Sequence, residues 1–216
     1  MKYSTVIFDL DGTLADTLAD IARLMNRTLR SRGWPEHSTD AYRKFVGDGV
    51  HKLVERAIPA DQQTRIEEVV ANYLPLLTEE GAESAALYPG IDAMLDALTK
   101  RGVAMAVLSN KPHDATKAAV AKLMGRWKFA LVHGQIAGEP PKPDPMVALR
   151  MAKQLNVTPS RIVFVGDSNV DMELANNAGF IAVGAGWGFR GEQELRAHGA
   201  AHVIHEPMEL MGVMEG

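Results

Sequence analysis

Thr5-Val6-Ile7-Phe8-Asp9-Leu10-Asp11-Gly12-Thr13 decides how the rest of the chain is read. Its first four residues are β-branched or aromatic, types that suit a pleated strand. No polar residue alternates with them, so the strand has no solvated face and reads as buried on both sides. It ends on Asp9, a second carboxylate follows at Asp11, and Gly12 allows a tight turn. A buried strand ending this way places two charges at the edge of a sheet. Open parallel sheets bind ligands at that edge, beyond the carboxyl ends of the strands.

Outward from this stretch the chain divides into two patterns. Short apolar runs at 104–109, 130–133, 162–166, 181–184 and 202–204 read as buried strands. Helical stretches at about 90–101, 113–123, 145–155, 170–178 and 192–197 separate them. With the first strand in front, this alternation predicts an α/β fold, a parallel sheet with helices on both faces. Residues 16–81 do not alternate. Leu18, Ile21, Ala22, Met25 and Leu29 fall at helical spacing, as do Ile66, Val69, Val70, Tyr73 and Leu77. A shorter helix is expected at 50–57, and Pro75 is expected to kink or end the helix around it. The predicted organisation is a catalytic core of 1–15 and 82–216 with an inserted helical unit of 16–81.

The 216 residues are 46% hydrophobic and 23% charged, which suits a globular protein. Absence of cysteine excludes thiol nucleophiles, thiolate metal sites and disulfides. The net charge of −4 and the lack of a basic run argue against nucleic acid. No segment approaches the roughly 20 apolar residues of a membrane helix. The apolar run at 5–8 is too short for a signal peptide, so a cytoplasmic location is expected. Composition says nothing about oligomeric state.

The chemistry collects at the strand ends. The first strand delivers Asp9 and Asp11, and the 104–109 strand delivers Ser109, Asn110 and Lys111. The 162–166 strand delivers Asp167, with Asp171 one helical turn later, and Lys142 lies in a proline-bracketed loop. Several carboxylates at one edge need a cation, and a hard oxygen site of this kind suits Mg2+. Without a thiol, and with no serine set beside a histidine base, the available nucleophile is a carboxylate. Aspartyl phosphates are a known form of covalent catalysis. A second carboxylate two residues on can protonate a leaving alcohol and later activate water.

Asp9-Leu10-Asp11-Gly12-Thr13, Ser109, Lys142 and Gly166-Asp167-Ser168-Asn169-Val170-Asp171 resemble, in order, the four motifs of the haloacid dehalogenase superfamily. The likeness covers essentially the whole chain and implies a Rossmann-like core with a small helical cap over the site. Within that superfamily the chain is most similar to phosphoglycolate phosphatases. That likeness rests on Phe45-Val46-Gly47-Asp48-Gly49-Val50, Leu53 to Ala57, Leu108 to Pro112, and Gly186-Trp187-Gly188. The resemblance implies Asp9 as nucleophile and metal ligand, and Asp11 as acid/base with its carbonyl on the metal. It implies Asp167 as a further ligand, Asp171 as support for the metal, and Ser109 and Lys142 as phosphate binders. Asp11 argues against dehalogenation, since the name-giving dehalogenases do not keep that aspartate. Another small phosphoester, pyrophosphate, a sugar phosphate moved by a mutase, or a non-enzymatic binding role stay open as alternatives. In every enzymatic reading the partner is a small phosphorylated metabolite.

Three assignments have competing readings. Asp171 either supports the metal or caps its helix. Asn110 either binds substrate or shapes its turn. Lys52 and Arg56 share a helix face, where Arg56 could hold a substrate carboxylate, or both could be a solvated stripe with Asp48 paired to Lys52. The Gly184–Gly188 stretch is not expected to bind a dinucleotide, because no helix opens in it.

Overall fold

The computed structural model describes residues 2–216. Its centre is a parallel six-stranded sheet of β1 (Thr5–Phe8), β4 (Ala104–Pro112), β5 (Leu131–Gln135), β6 (Ile162–Gly166), β7 (Ile181–Ala185) and β8 (His202–Ile204). A separate antiparallel pair joins β2 (Ala15–Asp16) to β3 (Ala86–Leu87). The sheet order is β5-β4-β1-β6-β7-β8. From β1 the chain first builds outward through β4 and β5, then returns to β6 on the other side. The strand order therefore reverses at β1, where a crevice for ligand opens.

Alternation along each strand explains the layers. Val6, Phe8, Met105, Val107, Val163 and Val165 face one core, and Ile7, Ala106, Phe164 and Ala182 face the other. The first face is covered by α5 (Ile91–Lys100), α6 (His113–Met124) and α10 (Leu210–Glu215). The second is covered by α7 (Met146–Gln154), α8 (Asn169–Ala178) and α9 (Glu192–Ala197). Both faces being buried is why the strands read as unbroken apolar runs.

Residues between β2 and β3 form α1 (Leu18–Arg30), α2 (Thr39–Phe45), α3 (Val50–Ala57) and α4 (Ile66–Glu80). Leu24, Met25, Tyr42, Val54, Val69 and Tyr73 make a third apolar cluster, which meets the sheet unit through Ala115 of α6. The seven-residue α2 has no counterpart in the sequence reading, because only Tyr42 of it is buried. The expectation for Pro75 needs correction in part, since α4 continues five residues beyond it to Glu80. Pro75 and Ala71 are both exposed. The carbonyl that loses its partner is thus solvated, which makes the proline tolerable. Among the described residues no helix is long and apolar enough to cross a membrane.

Candidate active site

The turn after β1 is built by backbone bonds. The amides of Thr13, Leu14 and Ala15 all donate to Leu10 O. Gly12 reverses the chain at φ +85°, and a Cβ there would lie 2.3 Å from Asp167 Oδ2. Asp9 and Asp11 consequently face the same cleft as Ser109, Lys142 and Asp167. Trp187 Nε1 donates to Thr13 O at 3.0 Å and ties the loop after β7 to this turn.

Two buried lysines sit among the carboxylates. Lys142 Nζ lies 2.8 Å from Asp9 Oδ1 and 2.7 Å from Asp171 Oδ1. Lys111 Nζ donates to Asp11 Oδ1 at 3.0 Å, and the Thr17 hydroxyl donates to the same oxygen at 2.6 Å. Lys111 is expected from sequence at this edge, beside Ser109 and Asn110, but with no partner or role assigned. Its place on a strand three residues longer than the apolar run is what brings it to the site.

Asn110 lines the cleft, but its side chain is committed elsewhere. Its Oδ1 accepts from Lys142 N at 2.8 Å, and its Nδ2 donates to Lys142 O at 3.2 Å and to Gly47 O at 2.9 Å. It fixes the backbone of Lys142, the turn-shaping half of its two readings. Asp171 shows the helix-capping geometry and also reaches Lys142. Oδ2 accepts from Ser168 N and from the Ser168 hydroxyl at the start of α8, while Oδ1 holds Lys142.

Lys52 and Arg56 are not brought to the cleft. Lys52 pairs with Glu55 at 2.6 Å, not with Asp48. Arg56 takes Asp48 at 2.6 Å and donates to Phe45 O at 3.0 Å. Neither lines the cleft, and the geometry makes Arg56 a brace for the 45–49 loop. The sequence reading also left the loop after β7 without a site role. Phe189 N donates to Asp167 Oδ2 at 2.7 Å, and Gly188 passes so close that a Cβ would stand 2.2 Å from Asp167 Cβ. The repeated glycines of that loop were the available signal, because glycine marks close backbone approach.

Crowding shows in the proton equilibria. Burial, partly offset by Lys142 and reinforced by Asp171 and Asp11, pushes Asp9 up to about 6. Burial, then Asp171 and Asp9, pushes Asp167 well above the usual carboxylate range. Lys142 is raised, its two aspartates outweighing the burial that would lower it. The carboxylates thus resist joint ionisation unless a cation joins them. Asp9, Asp167 and Asp171 each offer an oxygen, all within 4.8 Å of one another. Opposite ligands of an octahedral Mg2+ stand about 4.2 Å apart, so this set fits such an ion with little adjustment.

Sheet, switch point and carboxylate–lysine cleft together define an α/β hydrolase with an aspartate-lined site. The chain belongs to the haloacid dehalogenase-like hydrolase family, whose model matches residues 6–185. It is 34% identical over 215 residues to a phosphoglycolate phosphatase of Pseudomonas putida, covering 95% of this chain and 78% of that protein. Another phosphoglycolate phosphatase, from Aquifex aeolicus, is 30% identical, with 97% of this chain and 96% of that protein covered. Among solved structures, a proposed phosphoglycolate phosphatase from Lactobacillus delbrueckii subsp. bulgaricus superposes with a TM-score of 0.90 at 28% identity, covering 99% of each chain.

Proposed function

We propose that this chain is a Mg2+-dependent phosphate monoester hydrolase that acts on 2-phosphoglycolate. The observation that carries the reading is Asp9 and Asp11 facing one cleft with Ser109 and Lys142. Support for the substrate comes from the curated relatives, which are phosphoglycolate phosphatases along nearly the whole chain. In this reading Asp9 attacks phosphorus, the bond to the leaving oxygen breaks, and the phosphoryl group rests on Asp9. Asp11, oriented by Lys111 and Thr17, gives its proton to the leaving alkoxide and then takes one from the attacking water. Ser109 and Lys142 hold the phosphoryl oxygens. When bound, Mg2+ would neutralise the phosphate against the aspartates, held by Asp9, Asp167 and the Asp11 carbonyl. Asp171 has donors on both oxygens, which favours a supporting role over direct ligation. Residues 16–81 act as the cap that closes the cleft, on a core of 1–15 and 82–216.

The test is a screen of phosphorylated metabolites with Mg2+, ranked by kcat/KM. Phosphoglycolate should lead. A sugar phosphate or pyrophosphate in first place would replace the substrate while keeping the chemistry. No turnover of any phosphate, aryl phosphates included, would point to the binding-protein alternative.

A further inference from the structure

The cleft has two unlike walls. The helical wall presents Ile21, Val50, Leu53, Tyr73 and Leu77, and among the described residues it presents no charged side chain. Every lining charge comes from the sheet unit: Asp9, Asp11, Asp167, Lys111, Lys142 and Arg190. Lys142 is taken by Asp9 and Asp171, and Lys111 by Asp11. Arg190 is the lining cation that no carboxylate of the centre neutralises.

Its other partners leave it donors to spare. Arg190 Nη2 donates to Val46 O at 3.1 Å, and Nε lies 3.7 Å from Glu194 Oε1. That second separation is too long for a hydrogen bond, and Glu194 is 37% exposed, so the pair is weak. A guanidinium has five N–H groups in a planar fork, which matches a carboxylate with two parallel bonds. The Arg190 side chain is 19% exposed and faces a residue without a side chain, since a Cβ on Gly47 would stand 4.0 Å from Nη2. The rim beside it is therefore open to a small group.

We propose that Arg190 determines specificity by binding a second anionic group, a carboxylate, on a short phosphoester whose phosphate lies at Asp9. The inference rests on the phosphoester reading above and takes over the role that the sequence suggested for Arg56. A substrate with a single phosphate would leave the Arg190 fork partly desolvated and unmatched. A substrate with a carboxylate a few bonds away would fill it.

The experiment compares two non-hydrolysable phosphonates as inhibitors of aryl phosphate hydrolysis. 3-Phosphonopropionate carries the distal carboxylate, and propylphosphonate lacks it. The ratio of their inhibition constants cancels any general loss of activity. The wild type should prefer the carboxylate by about 10-fold to 100-fold, the scale of a charged hydrogen bond. Arg190→Ala should collapse that ratio toward one, and Arg190→Lys should keep part of it. Arg56→Ala disturbs the same loop from outside, so it should weaken both inhibitors alike and preserve the ratio. A ratio unchanged in Arg190→Ala, a wild type without preference, or an equal collapse in Arg56→Ala would each overturn the assignment. If the ratio collapses in Arg190→Ala while phosphoglycolate does poorly in the screen, the named substrate falls and the role of Arg190 stands.

Discussion

Asp9 is asked to be a nucleophile in a place that opposes its charge. Its pKa is pushed up to about 6, mainly by burial, from an ordinary value near 4. The folded state holds that proton more tightly than the unfolded chain. Without metal, the contribution of Asp9 to stability is therefore lost as pH rises from about 4 to about 6. Mg2+ needs the ionised form, so the rise in Tm that it gives should be small at pH 5 and larger at pH 7.5. Equal shifts at both values, measured by thermal unfolding against a chelated sample, would contradict this. Asp9→Asn removes both the nucleophile and the repulsion. It should cost on the order of 10⁴-fold or more in turnover, yet raise the Tm of the chelated protein at neutral pH. Phosphate release and a thermal melt on the same sample check the pair of outcomes. Asp9, Asp11, Asp167 and Asp171 were legible as one group because each ends or closely follows a buried strand. Lys111 was legible at the same edge but its pairing with Asp11 was not, because a lysine inside an extended polar stretch carries no sign of which carboxylate it will meet. Arg56 misled for a related reason. Helical spacing says which residues share a face, and not whether that face looks toward a cleft.

At the scale of elements, loops carry what strands and helices cannot. The loop after β7 crosses Asp167 so closely that only glycine fits at 188. Gly188→Ala must push that loop or Asp167 aside, and Phe189 N would lose its alignment to Asp167 Oδ2. We expect at least about a ten-fold loss of kcat/KM, as for supporting partners of a metal ligand. It should be accompanied by a higher Mg2+ requirement and little change in the melt. An unaltered Mg2+ titration would show that the loop yields freely. Strands and most helices could be read from sequence since their signal is local: unbroken apolar runs, or apolar residues at helical spacing. The short α2 and α10 could not. Their stability comes from packing, as Tyr42, Leu210 and Met214 are buried.

On the whole molecule, the helical unit and the sheet unit line a narrow cleft between them. Size should therefore limit the substrate. Across phosphoglycolate, a three-carbon and a six-carbon phosphate, kcat/KM should fall steeply with chain length. A hexose phosphate hydrolysed as well as phosphoglycolate would show that the helices stand far open during turnover. Across the cleft the two units touch through Asn110 to Gly47 and Arg190 to Val46, and at the connections between them through Thr17 to Asp11 and through Asp20 to the amides of Ser84 and Ala85. Those across the cleft were invisible in the sequence, because they join residues far apart in the chain. The antiparallel pair of β2 and β3 has a consequence of its own. Ala15 stands directly opposite Leu87, so the chain leaves the sheet unit and re-enters it side by side. Residues 16–86 could be cut out between these two points and the ends rejoined by a tight turn, with no strand of the six-stranded sheet displaced. Such a junction is also a splice point. A foreign set of helices stitched in at 16 and 86 would inherit the aspartates unchanged and bring its own choice of what to admit.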